Sequence, residues 1–269
     1  MAIFVSGDGF VFTRVRGNKL KILKLKQVTE KAAIGASKFI GKKDKIAADQ
    51  AAVDAMRSEV NKIDMTGEVV IGEGSLDDAP MLFTGEILGT KDGPEFDIAV
   101  DPLEGTTITA HGGENALSVL AMGEEGSFLH SPDIYMHKIA YGKKYESLDI
   151  DPESPSDEIV KNFAKYSGIK IENIVVCILD RPRHKELIDK VRSIGARIKL
   201  IPDGDVSAVI ATSFEDSGVD IYMGIGGSPE GVLAAAALRC IGGKIYTKLI
   251  FDNDKQIERA KPVSYTHLT

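Results

Sequence analysis

Residues 174–210, IVVCILDRPRHKELIDKVRSIGARIKLIPDGDVSAVI, decide the architecture. The run 174–179 is apolar, short and rich in β-branched residues, so it reads as a buried strand. A turn with Pro182 leads into a helix over 183–194. A second strand, 197–201, meets Pro202-Asp203-Gly204-Asp205 and gives way to a helix over 205–212. Strands alternating with helices of about ten residues are the mark of a layered α/β protein. In such sheets ligands gather beyond the carboxyl ends of the strands. The residues on those loops therefore carry the functional reading.

The alternation extends outward. Downstream lie a strand at 219–224 and a helix at 229–240; upstream lies a helix at 157–166. Nearer the start, Val28, Ala32, Ala33, Ala36 and Phe39 follow helical spacing up to Gly41. A second helix covers 45–63, with Ile46, Ala51, Val53, Met56 and Val60 as its buried side. Strands are expected at 68–71, 97–100 and 116–122, and a helix at 80–87. Residues 1–26 form an extension with two strand-like pieces, 3–5 and 10–15, and a basic stretch, 19–26. The organisation expected is a first α/β half at 27–145, a charged link at 143–156 holding Pro152 and Pro155, and a second α/β half at 157–261.

Bulk properties exclude several classes. A chain of 269 residues can bury a large core without disulfides or metals. Hydrophobic residues at 43% and charged residues at 27% rule out a disordered or fibrous chain. Lys and Arg number 33 against 40 Asp and Glu, a net charge of −7, which disfavours nucleic acid as a partner. Cys177 and Cys240 sit in apolar runs with no Cys-x-x-Cys spacing and read as buried thiols of a reducing compartment. The longest apolar run, 232–241, is broken by Arg239 and too short for a membrane span. The first residues lack the basic start and apolar core of a secretory signal. A cytoplasmic protein is expected, without membrane partners.

Chemistry concentrates at strand ends. The strand at 97–100 runs into Asp101-Pro102-Leu103-Glu104-Gly105-Thr106-Thr107. Two carboxylates on one tight turn repel unless a cation lies between them, and hard divalent ions favour such oxygen donors. The strand at 68–71 ends in Gly72-Glu73-Gly74, a carboxylate between residues that permit close backbone approach. Asp77 and Asp78, just before Pro80, read as helix caps. Lys45 and Asp49 share a helix face and by themselves read as an exposed ion pair. Gly224-Ile225-Gly226-Gly227-Ser228-Pro229-Glu230-Gly231 opens a helix, with Ser228 suited to the N-cap and Pro229 to the first helical position; its free amides suit an anion. Arg181 and Arg183 suit phosphate oxygens. Asp203 and Asp205 offer acceptors to sugar hydroxyls, with capping by Asp205 as the plainer reading. Tyr135 offers a hydroxyl. His111, His130 and His137 fit no metal or triad spacing.

The five segments 44–49, 70–74, 97–106, 201–205 and 224–231, in that order, resemble class II fructose-1,6-bisphosphatase, a member of the lithium-sensitive, metal-dependent sugar phosphatases. The likeness spans about 28–243. It implies an α-β-α-β-α layered fold and hydrolysis of the 1-phosphate of fructose 1,6-bisphosphate, in gluconeogenesis, with Mn²⁺ or Mg²⁺. It implies Asp49, Glu73, Asp101, Glu104 and Glu230 as metal ligands. It implies substrate contacts from Glu104, Gly105, Thr106, Tyr135, Arg181, Pro182, Arg183, Asp203, Gly204, Asp205 and Gly227. Lys45, Thr106 and Glu104 would be catalytic, with Lys45 neutralising phosphoryl charge and Thr106 orienting water. A sugar bisphosphate is the expected partner and a homo-oligomer the expected assembly.

The chain departs from that pattern in places. Position 181 is Arg where similar proteins often carry Lys, and the first residues precede the usual start. Residues 262–269 resemble no segment of the family and read as a foreign tail on a chain that stops early. The alternatives are sedoheptulose 1,7-bisphosphate or inositol phosphates as substrates, or an inactive, truncated sugar-phosphate-binding protein. A dinucleotide site is disfavoured, because Pro229 stands where the third glycine of G-x-G-x-x-G belongs.

Overall fold

The computed structural model describes residues 2–6, 11–13, 19–73 and 81–264. The chain divides into two compact units, one of Met1–Pro132 with Asn253–Thr269, the other of Asp133–Asp252. The α/β class expected from the sequence holds, with two sheets and eight α-helices among the described residues.

In the first unit, helices α1 (Lys19–Ser37) and α2 (Lys45–Val60) accompany strands β1 (Ala2–Ser6), β2 (Val11–Thr13), β3 (Thr66–Ile71), β4 (Ile87–Leu88), β5 (Glu95–Glu104) and β6 (Leu117–Glu124). The short helix α3 (Thr106–His111) lies between β5 and β6, and α8 (Asp254–Ser264) belongs to this unit too. The sheet order is β2-β1-β6-β5-β3-β4, with β3 and β5 parallel. Ile98 and Val100 of β5, with Leu120 and Met122 of β6, pack one core with Val28 and Ala32 of α1 and with Ala48, Val53 and Met56 of α2. These strand positions alternate along the chain, as a face covered by helices requires.

Several sequence expectations shift here. The basic stretch at 19–26 is the first part of α1, not a separate piece. Ile46 is exposed, and Ala48 and Ala52 line the buried side of α2 instead. The expected helix at 80–87 is absent among the described residues, where 81–86 is turn and loop and Ile87 belongs to β4. That loop is held by β3, with the Glu73 amide donating to Leu82 O and the Gly85 amide to Val69 O.

In the second unit the strands are β7 (Tyr135–Gly142), β8 (Val175–Leu179), β9 (Arg197–Ile201), β10 (Ile221–Gly227) and β11 (Gly243–Ile250), ordered β11-β7-β10-β8-β9. Helices α4 (Ser156–Ser167) and α5 (Lys185–Ser193) cover one face through Phe163, Val160 and Val191, packed on Ile139, Tyr141, Val176 and Ile178. Helices α6 (Asp205–Ala211) and α7 (Ser228–Ile241) cover the other through Val209, Ala234 and Leu238, packed on Ala140, Cys177 and Tyr222. A sheet covered on both faces needs apolar side chains in both directions, hence the unbroken run in β8. Residues 143–156 contribute Tyr145, Leu148 and Ile150 to this core.

Candidate active site

Strand β5 is buried from Asp97 to Glu104, and its ladder with β6 shifts register between Asp101 and Glu104. Pro102 has no amide hydrogen to give that ladder. Asp101 Oδ1 instead accepts the Leu103 amide at 3.0 Å. Gly105, at φ 91°, then turns the chain into α3 at Thr106, a backbone geometry that side chains resist. Asp101, Glu104 and Thr106 thus share one turn, and both carboxylates are buried.

Parallel pairing brings a third carboxylate toward it. Strand β3 runs beside β5, with Ile71 opposite Ala99; Glu73 and Asp101 each lie two residues further on. Gly72 permits the tight passage, since a Cβ there would come within 2.1 Å of Leu82 O. Asp77 and Asp78 lie outside the described residues.

Helix α2 begins beside α3. The Gly41 amide donates to Thr109 O and the Lys43 amide to Ala110 O. Asp44 Oδ1 caps the helix by accepting the Ala47 amide at 2.9 Å. Lys45 is exposed. Asp49 makes no ion pair with it. Asp49 Oδ1 is buried with no hydrogen-bond partner among the described residues, and burial pushes its carboxyl above the usual range.

In the second unit the carboxyl ends of the parallel strands β8, β9 and β10 bear the loops the sequence singled out. Arg181 Nη1 donates to Asp180 O and Pro202 O, and its Nη2 lies 3.7 Å from Asp203 Oδ1. Arg183 donates from Nε and Nη2 to Ile225 O, at 3.0 and 2.8 Å, and its guanidinium covers the Tyr135 ring at 4.8 Å. Tyr135 in turn is paired with Gly227 across β7 and β10.

Two capping expectations are corrected. Gly227, not Ser228, is the N-cap of α7, and Ser228 is already helical. Its hydroxyl is used elsewhere, accepting the Ile134 amide at 3.4 Å while its own amide donates to Ile134 O. Asp205 does not cap α6 either. Its Oδ2 accepts from Lys138 Nζ at 2.6 Å and from the Tyr222 hydroxyl at 3.4 Å.

Glu230, in the first turn of α7, folds back over Gly227, where a Cβ would lie 2.0 Å from its Oε2. That oxygen is buried without a hydrogen-bond partner among the described residues. Burial pushes the carboxyl up, the Asp205 charge adds to the push, and Lys138 opposes it.

The model of the glpX-encoded bacterial fructose-1,6-bisphosphatases matches residues 19–268. The chain belongs to this phosphatase family. It is 45% identical over 242 residues to the D-fructose 1,6-bisphosphatase class 2/sedoheptulose 1,7-bisphosphatase of Synechocystis sp., covering 86% of this chain and 70% of that protein. The protein of the same name from Synechococcus sp. is 44% identical over 247 residues, covering 87% and 71%. That of Microcystis aeruginosa is 44% identical over 242 residues, covering 86% and 70%.

Among the described residues of this fructose-1,6-bisphosphatase relative, no three His, Cys, Asp or Glu side chains gather closely enough to hold an ion. The fit to a cation lies in the chemistry of the donors. All five expected ligands are carboxylates, and in each unit taken by itself a buried carboxylate oxygen without a hydrogen-bond partner among the described residues, on Asp49 in the first and on Glu230 in the second, is of the kind that a cation satisfies. Among the described residues, no helix is long and apolar enough to cross a membrane.

Two residues escaped the sequence reading, Lys138 and His184, both buried. Lys138 lies in an apolar strand on the same face as Met136 and Ala140, a lysine where periodicity demands an apolar side chain. That is the signal that would have found it.

Proposed function

We propose that this chain hydrolyses the 1-phosphate of fructose 1,6-bisphosphate to fructose 6-phosphate and inorganic phosphate in the cytoplasm. The observation that carries the reading is the family match over residues 19–268 together with the carboxylate turn Asp101–Thr106. Asp49, Glu73, Asp101, Glu104 and Glu230 would hold Mg²⁺ or Mn²⁺. Such an ion, when bound, supplies charge neutralisation for the phosphoryl oxygens and lowers the pKa of a coordinated water. Side-chain proton transfer contributes roughly 10²–10⁴-fold, too little for phosphomonoester hydrolysis.

The chain's own residues would bind and orient. Arg181 and Arg183 present guanidinium forks to a phosphate, with Pro182 shaping the turn between them. Asp203, Gly204 and Asp205 would accept sugar hydroxyls, and Tyr135 and Gly227 would border the ligand. Glu104, Gly105 and Thr106 would contact the reacting phosphate, Thr106 holding the attacking water by its hydroxyl. Lys45, exposed at the start of α2, is free to swing toward phosphoryl charge. Assembly as a homo-oligomer belongs to the same proposal.

A second substrate, sedoheptulose 1,7-bisphosphate, is favoured by one observation: all three curated relatives carry both activities in their names. The deciding experiment is phosphate release by the full chain with Mn²⁺ or Mg²⁺, on both bisphosphates and on inositol phosphate. Release from the bisphosphates, abolished by a chelator, is expected. No release with either metal would leave the binding-protein alternative.

A further inference from the structure

Lys138 is fully buried, at 0% exposure, in β7 of the second unit's sheet, between Gly224 of β10 and Thr247 of β11. A buried ammonium is costly unless paired and hydrogen-bonded. Its partner is Asp205, whose carboxylate is also buried and meets Nζ at 2.6 Å.

The surrounding chain is shaped around this contact. A Cβ at Gly226 would sit 2.2 Å from Asp205 Oδ2 and 3.1 Å from Lys138 Nζ. A Cβ at Gly231 would sit 2.4 Å from Met136 Sδ and 3.3 Å from Lys138 Cε. Glycines from two different elements, β10 and α7, thus leave the room that the lysine and its carboxylate fill. Burying an ion pair seldom stabilises a fold more than well-packed apolar side chains would, so stability is a poor reason for the arrangement.

The bonding pattern suggests a better one. Among the described residues, the side-chain hydrogen bonds to Asp205 come from Lys138 and from Tyr222, and each ends on Oδ2. With Oδ2 clamped, the carboxylate has one orientation, and Oδ1 remains as the acceptor. We propose that Lys138 is a positioning residue that fixes Asp205 at the start of α6 so that one carboxylate oxygen is presented to a substrate hydroxyl. This rests on the reading of Asp205 as a substrate contact. Preorganised acceptors of this kind lower the ordering cost of binding.

The test is steady-state phosphate release from fructose 1,6-bisphosphate by the full chain with Mn²⁺, with melting temperature measured in parallel. Lys138→Met removes the clamp. Gly226→Ala keeps every charge but crowds Asp205 Oδ2, and it carries the same test where Lys138→Met does not fold. Each is expected to raise KM roughly tenfold or more, the order of one hydrogen bond to a charged group, with kcat within about threefold. Asp205→Asn is the control. If it raises KM while both folded clamp variants keep the wild-type KM, Lys138 has no positioning role and the proposal is overturned. If Asp205→Asn leaves KM unchanged, the substrate-contact reading itself fails. A lowered melting temperature with unchanged KM marks a purely structural lysine and also overturns the proposal.

Discussion

The Ile225 amide donates to Nε2 of His184 at 2.7 Å, and His184 Nδ1 lies 2.7 Å from Leu179 O. A carbonyl can only accept and an amide N–H can only donate, so the ring must be neutral with its hydrogen on Nδ1. Ile225 O meanwhile receives Arg183. One residue of β10, Ile225, is therefore held by both its amide and its carbonyl by the loop that bears both arginines. Burial first, and then the charges of Arg183 and Arg181, hold the His184 pKa below its ordinary value, outweighing the opposing pull of the bond to Leu179 O. Below about pH 6.5 the unfolded chain therefore takes up a proton that the folded chain refuses, and stability falls as the pH drops. His184→Gln keeps an acceptor for the Ile225 amide and cannot titrate. Between pH 7 and 5 its melting temperature is expected to fall less than that of the wild type; parallel curves would show that His184 is not the source.

Asp101→Asn and Glu104→Gln are expected to lower phosphate release by about a thousandfold, the several kcal/mol of charge stabilisation attributed to a bound ion. The fold should remain, since Asn keeps the acceptor for the Leu103 amide. Circular dichroism and turnover measured on the same samples check both halves. Near-normal turnover in either variant would remove that carboxylate from the site.

The contrast between these two regions shows what a sequence exposes. Asp101 and Glu104 are legible because strand, proline and glycine fix their turn within a few neighbouring residues. Likewise β8 is legible because both its faces are buried. His184 and Lys138 are harder to read: the Ile225 amide and the Asp205 carboxylate that they meet stand 41 and 67 residues away, and the one local sign is a lysine out of place in the period-two pattern of β7. The strands β7 and β11 were missed for a related reason: lysines at 138, 244 and 248 and the half-exposed surface of β11 blur the alternation. The expected helix at 80–87 is replaced by loop because Leu82 O accepts the Glu73 amide and Val69 O accepts the Gly85 amide, tertiary bonds that override local propensity.

Residues 143–156 read as a link from charge and proline content, yet Tyr145 stacks edge-on against Phe163 with ring centroids 4.8 Å apart. Tyr141 lies on the same ring at 6.0 Å. Phe163 is fully buried at the junction of this segment, α4 and the sheet. Phe163→Ala is expected to destabilise the chain by about 3–5 kcal/mol. Urea unfolding followed by tyrosine fluorescence and circular dichroism measures it. A loss below about 1 kcal/mol would mean that the segment collapses readily into the space.

Gly227 tests the geometry around Glu230 without altering any charge. Its backbone, at φ −65° and ψ 146°, is one that alanine adopts freely, so the substitution acts through space alone. The new methyl would lie 2.0 Å from Glu230 Oε2 and drive the carboxylate aside. A displacement of about 1 Å at a reacting centre can cost on the order of a hundredfold, and Gly227→Ala is expected to lower kcat/KM by that order while the circular dichroism spectrum is unchanged. If Glu230 takes no part in catalysis, the carboxylate will swing away with no kinetic consequence, and wild-type kcat/KM in a folded Gly227→Ala protein would strike Glu230 from the proposed ligands.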